Sequence, residues 1–230
     1  MTIDGAGGGW KTALAAGLIG ALVGGGAVAY VSRQSVRDYL LENPEILPEA
    51  MDRLRSREAA KVVSANRAAL ERPFAGAWAG ARDGDVVLVE FFDYACGYCR
   101  KSNADVDRLL REDPRLKVVW REWPVLGPDS EAAARASLAA AQAGRFKPFH
   151  DSLFAAGRPT PEALARARAG AGLAADLPAA VSDPELARNF ELARGLEATG
   201  TPTFVVGDQN LQGAVGSEAL RDAIKEAREG

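Results

Sequence analysis

Residues 86–102 read VVLVEFFDYACGYCRKS. The first seven, Val86 to Phe92, are a near-continuous apolar run preceded by the turn signal Asp83-Gly84-Asp85. A run without polar alternation predicts a strand covered on both faces, as in a parallel or mixed α/β sheet. The pair Cys96-Gly-Tyr-Cys99 follows and opens a helix predicted to reach about Asp113. Backbone N–H groups and the dipole at a helix start favour an anion, so Cys96 is placed to ionise. Cysteines so placed have pKa values of about 3.5–7.5 and act as nucleophiles. The three-residue spacing brings Cys99 within reach of a mixed disulfide on Cys96. Glu90, on the strand six residues before Cys96, is placed to relay protons as a buried carboxylate. Taken alone, a CxxC also reads as a structural disulfide or as half of a metal site.

Beyond this segment, Leu116 to Trp123 (LKVVWREW) predicts a second strand ended by Pro124. Helical stretches follow over about 129–144, 146–156, 161–172 and 183–196. Thr160-Pro161 and Asp183-Pro184 read as cap-then-proline starts. Thr203–Gly207 and Asn210–Ala214 predict a short hairpin turning at Gly207-Asp208, and Ser217 caps a last helix. Gly200-Thr201-Pro202-Thr203-Phe204 precedes the hairpin as a turn able to hold a cis proline. His150 lies in a Phe-rich helix and reads as structural. Trp120 and Trp123 read as core, while Phe74 and Trp78 read as packing at the domain edge.

Towards the N-terminus, Thr12 to Val31 carries no charge and is flanked by Lys11 and Arg33. Such a run is long enough to span a membrane as a helix. Two readings compete: an uncleaved signal anchor, and a signal peptide cleaved after Ala29 in Ala27-Val28-Ala29. Both export the remainder, and an exported compartment permits disulfides. Residues 33–72 predict a short helix over about 34–42 and a longer one over about 45–71, with Asn43 capping the second across Asn43-Pro44. Ile46, Leu47, Met51, Leu54, Val62 and Leu70 form a partial apolar stripe, and no heptad persists. The segment reads either as a solvated linker or as an oligomerisation stalk.

Composition narrows the field. The 230 residues include 28 basic and 31 acidic side chains, a net charge of −3, which argues against nucleic acid as partner. Two cysteines cannot build a multi-bridge scaffold or a four-cysteine zinc site, and a single histidine excludes sites that need two.

Strand, CxxC helix, helical block and TP before a strand together resemble the thioredoxin fold with a helical insertion found in DsbA-like thiol–disulfide oxidoreductases, closest to the ScsC-like branch. The resemblance rests on VEFFDYACGYCRKS (89–102), EWPVLGPDSEAAARASLAA (122–140), FKPFHDSLF (146–154) and GTPTFVVGDQNLQGAVGSEAL (200–220). RDYLLENPEILPEAM (37–51) resembles the branch's N-terminal extension, which can oligomerise the protein. The implied organisation is α/β: a signal anchor or signal peptide over 1–32, a helical stalk over 33–72, and a thioredoxin domain over 73–230 with its insertion at about 128–197.

The resemblance also implies roles. Cys96 would attack and Cys99 resolve, with the Cys96–Cys99 disulfide as the redox group and no separate cofactor or metal. Pro202 would be cis and pack against that disulfide. Thr201 would offer backbone hydrogen bonds to substrate, and Glu90 would be the buried acid beneath the site. Gly-Tyr between the cysteines and Thr before the proline lean towards isomerase and reductase members. The strongly oxidising members carry Pro-His instead. The expectation is a periplasmic enzyme, anchored to the inner membrane if residues 12–31 are retained. It would act on cysteine-containing exported proteins, use a membrane redox partner, and form a homo-oligomer through 33–72. The alternatives are a disulfide-donating oxidase and a Cu(I)-binding tolerance protein using the same two thiolates.

Overall fold

The computed structural model describes residues 35–173 and 182–229. The apolar run 12–31, and with it the anchor and signal-peptide readings, lies outside the described residues. Among the described residues, no helix is long and apolar enough to cross a membrane.

Two compact units divide at Leu54 and Arg55. In the first, helix α1 covers 35–42, and helix α2 (Ile46–Glu71) begins just beyond Asn43-Pro44. Asn43 does not cap α2 with its side chain, as the sequence suggested. Its amide instead donates back to the Tyr39 carbonyl at 2.9 Å, and its own carbonyl accepts from Ile46 N–H at 3.2 Å. Val36, Tyr39, Leu41, Leu47, Met51 and Leu54 are all exposed.

The second unit is built on five strands: β1 (Trp78–Gly80), β2 (Val86–Phe92), β3 (Leu116–Glu122), β4 (Thr203–Val206) and β5 (Gln209–Gln212). Their order is β1-β3-β2-β4-β5. Only β2 and β3 are parallel, with Glu90 opposite Trp120 and Phe92 opposite Glu122; the other pairs are antiparallel. The two near-continuous apolar segments are therefore adjacent inner strands, as their composition required. Among the described residues of this unit, the later part of α2 and six further helices accompany the sheet: α3 (Gly97–Glu112), α4 (Pro128–Gln142), α5 (Phe146–Ala156), α6 (Pro161–Gly170), α7 (Ser182–Gly195) and α8 (Gly216–Glu229).

Alternation along each strand divides the core in two. Leu88, Phe92, Leu116, Val118, Trp120, Phe204 and Val206 face one side, where α3, α8 and the α4–α6 block cover them. Val89, Phe91, Val119 and Val205 face the other, beneath Val63 and Leu70 of α2 and Leu192, Ala193 and Leu196 of α7. The later part of α2 is thus core rather than stalk, and the compact unit begins at Arg55 rather than at Pro73.

Thr160 caps α6 as expected, accepting from Ala163 N–H at 3.2 Å. α7 starts at Ser182, so Asp183 sits inside its first turn and accepts from Arg135 Nε at 2.9 Å instead of capping. β1 was not anticipated. Three residues ending in glycine are too few to show a period of two, and the strand is defined by its pairing with β3.

Candidate active site

The site sits where β2 ends and α3 begins. Asp93, 1 % exposed, organises that junction. Its Oδ1 accepts Ala95 N–H at 2.7 Å, and its Oδ2 accepts the N–H groups of Val125 and Leu126 at 2.9 and 3.0 Å. Its carbonyl accepts Cys96 N–H at 3.1 Å. One buried carboxylate therefore ties the turn before Cys96 to the loop after β3, with hydrogen bonds of the stronger, charge-assisted kind.

Cys96 is the N-cap of α3, and its sulfur accepts Cys99 N–H at 3.4 Å. In the thiol form Cys96 Sγ donates to the Thr201 carbonyl at 3.2 Å. The Cys99 side chain, then the Thr201 side chain, then the N–H groups of Cys99 and Tyr98 all favour the thiolate. Against partial burial they lower the Cys96 pKa to about 5. Cys99 is fully buried behind it. Burial, reinforced by hydrogen bonding to Cys96 and by the Glu90 charge, pushes its thiol far above the ordinary cysteine range. Both cysteines are free thiols. The environments separate the two into an ionised nucleophile and a protonated partner.

The Thr201–Pro202 peptide bond is cis, and Pro202 is buried directly after Thr201, whose carbonyl meets the Cys96 sulfur. Glu90, 2 % exposed, accepts Trp120 Nε1–H at 3.0 Å, and burial lifts its carboxyl to about 8. The structure thus brings all five residues expected from the sequence, Cys96, Cys99, Glu90, Thr201 and Pro202, to one place. His150 is buried among Phe92, Tyr94, Trp120, Phe146 and Phe154, and burial depresses its pKa, which keeps it neutral and structural. Asp93 and Tyr94 were not among the site residues expected from the sequence. An acid and a phenol just past a strand carry no spacing signal of their own.

Among the described residues, no group of three or more metal-ligating side chains is assembled. What the geometry can do is exchange a disulfide. Cys96, 6 % exposed, has the lowered pKa needed to attack, and Cys99 is three residues behind it.

The model of the DSBA-like thioredoxin domain matches residues 87–225. The chain belongs to the DsbA-like thioredoxin family. A second model, the N-terminal domain of the copper resistance protein ScsC, matches residues 33–61. Among solved structures, a thioredoxin-like oxidoreductase from Silicibacter pomeroyi DSS-3 is 38% identical, covers 66% of this chain and 92% of its own, and has a TM-score of 0.63. ScsC from Proteus mirabilis in a transitional conformation is 31% identical over 86% of this chain and 93% of its own, with a TM-score of 0.68. A periplasmic thioredoxin-like protein from Salmonella enterica serovar Typhimurium is 28% identical over 71% of this chain and 96% of its own, with a TM-score of 0.66. The Na(+)/H(+) antiporter NhaA 3 of Salinispora tropica is 31% identical over 64% of this chain. This chain spans about a quarter of that antiporter's length, 24%.

Proposed function

We propose that the protein is an exported thiol–disulfide oxidoreductase that reduces and isomerises disulfides in other exported proteins. The observation that carries this reading is the unequal pair at the start of α3. An ionised Cys96 at the helix N-cap stands in front of a buried, protonated Cys99 and beside the Thr201 carbonyl.

In the reducing direction the Cys96 thiolate attacks one sulfur of a substrate disulfide. A bond forms to that sulfur, and the substrate's other sulfur leaves as a thiolate. Cys99 then loses its proton and attacks Cys96 Sγ. The mixed disulfide breaks, the Cys96–Cys99 bond forms, and the substrate's second sulfur leaves as a thiolate, with solvent supplying the protons of its two thiols. Glu90 beneath the pair takes that proton in its ionised form and returns it when the cycle runs backwards. Isomerisation needs only the first step and its reversal onto a different substrate sulfur.

Two features support reduction and isomerisation over disulfide donation. Gly97 and Tyr98 place no cation between the cysteines. Thr201 precedes the proline. A Cys96 pKa of about 5 lies between the values of about 7 and 3.5 at the reducing and oxidising ends of this chemistry and favours neither. The exposed apolar side chains of α1 and early α2 suit a self-association surface, which would bring several CxxC sites onto one substrate. Export to the periplasm agrees with the periplasmic thioredoxin-like relative from Salmonella, and a membrane reductant would keep the cysteines reduced.

The Cu(I) reading has one specific support, the copper resistance description of the model matching residues 33–61. It needs two thiolates, and the buried Cys99 opposes the second. Reactivation of scrambled ribonuclease by the reduced protein tests the proposal. Recovery of activity that disappears in Cys96→Ser supports it. A protein that oxidises reduced ribonuclease but leaves the scrambled form unchanged is a donor instead. Tight Cu(I) retention against a chelator without either activity would favour the copper reading.

A further inference from the structure

The loop after β3 is short and is held from within. It runs Trp123-Pro124-Val125-Leu126-Gly127 and leads straight into α4 at Pro128. Trp123 N–H still donates to the Phe92 carbonyl at 2.9 Å, so the loop leaves the sheet beside the end of β2. Asp93 Oδ2 takes the amides of Val125 and Leu126 at 2.9 and 3.0 Å, yet these two residues are 42% and 55% exposed. An exposed apolar pair on a loop is ordinarily free to move. Here a proline on either side and a buried carboxylate beneath fix it as a ledge.

The same carboxylate holds the turn that presents the nucleophile. Asp93 Oδ1 accepts Ala95 N–H at 2.7 Å, one residue before Cys96, and the Asp93 carbonyl accepts Cys96 N–H at 3.1 Å. A single carboxyl group thus stands between the ledge and the residue next to the reactive sulfur. Both of its oxygens accept, which an asparagine cannot reproduce: its amide has one acceptor oxygen and sets an NH₂ against the remaining N–H donors.

Exposed apolar surface gathers at this place. After Leu54, the large apolar residues exposed among the described ones are Tyr98, Val125, Leu126 and Phe190. Tyr98 lies between the two cysteines. Phe190 of α7 packs edge-on against Trp123 at the start of the loop, with 6.5 Å between ring centroids. Apolar residues grouped on a surface mark a contact for a partner. This group adjoins the sulfur that has to meet a substrate disulfide.

We propose that Asp93 is a positioning residue that fixes the Val125–Leu126 ledge to the Cys96 turn, so that the ledge holds an apolar side chain flanking the target cysteine of an extended polypeptide while Cys96 attacks. The proposal rests on the exchange reading above and adds a preference among substrates, set by the residue beside the disulfide.

The test uses the full chain, reduced, and two synthetic peptides. Each carries one cysteine joined by a disulfide to a small aromatic thiol, flanked by leucine in one peptide and by serine in the other. Cys96 attacks the peptide sulfur and the aromatic thiolate leaves, read by its absorbance. Cys99 then forms the Cys96–Cys99 bond, and the peptide leaves as a thiolate that takes a proton from solvent. The two cysteines supply both electrons. The readout is the ratio of the leucine to the serine rate constant, expected to be about tenfold in the natural protein. In Asp93→Asn the ratio should fall to within about twofold of one, and it should fall as far when Val125→Ser and Leu126→Ser are combined. A general loosening of the site would slow both peptides and leave the ratio, so an unchanged ratio in Asp93→Asn overturns the proposal. A ratio of one in the natural protein overturns it too. A ratio that drops as the protein concentration is raised would show a second copy covering the ledge, and that also contradicts the assignment. If the natural protein reacts with neither peptide, the exchange reading itself fails. Hydrogen exchange supplies a second measurement should Asp93→Asn not fold. The Val125 and Leu126 amides of the natural protein should be protected like those of β2 and β3, and fast exchange there would overturn the tie.

Discussion

At the residue scale, chemistry is set by unequal burial of like groups. Cys96 and Cys99 share one turn of helix, yet one sulfur faces backbone donors and the other faces the core. The acid beneath them illustrates the cost of such a site. Glu90 titrates near 8 when folded and near 4.5 when exposed, so the fold keeps it protonated over a range where the unfolded chain releases its proton. The stability difference is therefore largest below the exposed value and is lost as pH rises from 4.5 to 8. Glu90→Gln removes that loss and keeps the Trp120 hydrogen bond. The variant should be more stable than the natural protein at pH 7, by about 3 kcal/mol, and equal to it near pH 4. It should also resolve mixed disulfides more slowly. Denaturant melts at the two pH values check the first part, and quenched-flow trapping checks the second.

At the element scale, a buried arginine joins the helix before the domain to the sheet. Arg121 donates to Leu70 O at 3.1 and 3.0 Å, to Arg72 O at 2.6 Å, and to Ala69 O. These are carbonyls that the end of α2 leaves without helical partners. The same guanidinium pairs with Glu185 at 3.0 Å, both groups being nearly inaccessible. Arg121→Met orphans the carbonyls and leaves Glu185 with only Arg188, half in water. A loss of about 3–5 kcal/mol should follow. Because Arg121 lies on the sheet face away from Cys96, the thiolate pKa should not move. A combined melt and thiol titration checks both.

This clamp also marks the boundary of what the residues disclosed in advance. The strands β2 and β3, the CxxC helix and the TP turn were legible because each has a period or a fixed spacing. The docking of α2 was not, because Arg121 grips backbone carbonyls, which have no signature in side-chain order. Asp93 was missed for a related reason. A polar residue at a strand end looks like the start of a loop, and only the fold shows that it is buried and put to use. The five residues expected from the sequence, by contrast, lie near one another, since helix start, strand and cis-proline turn meet in one place once the sheet forms.

At the scale of the whole molecule, a run of exposed apolar side chains lies before Arg55. Leu47, Met51 and Leu54 are about half exposed at helical spacing, at 53%, 50% and 53%. If they self-associate, a chain lacking residues 1–32 should scatter light as an oligomer, and one lacking residues 1–54 should scatter as a monomer. The shorter form should still react through Cys96 but lose isomerase activity. The cut must fall at residue 54 rather than 72, since the longer deletion would strip Val63 and Leu70 from the core. An unchanged mass after the shorter cut would place assembly elsewhere or rule it out.

The central claim is that the fold makes Cys96 an ionised nucleophile while leaving Cys99 protonated. Absorbance at 240 nm against pH, taken on reduced protein with Cys96→Ser as blank, measures this directly. A single thiolate transition near pH 5 that vanishes in the blank is the predicted result. A transition at 8.5–9, the range of an unperturbed cysteine, would contradict the account.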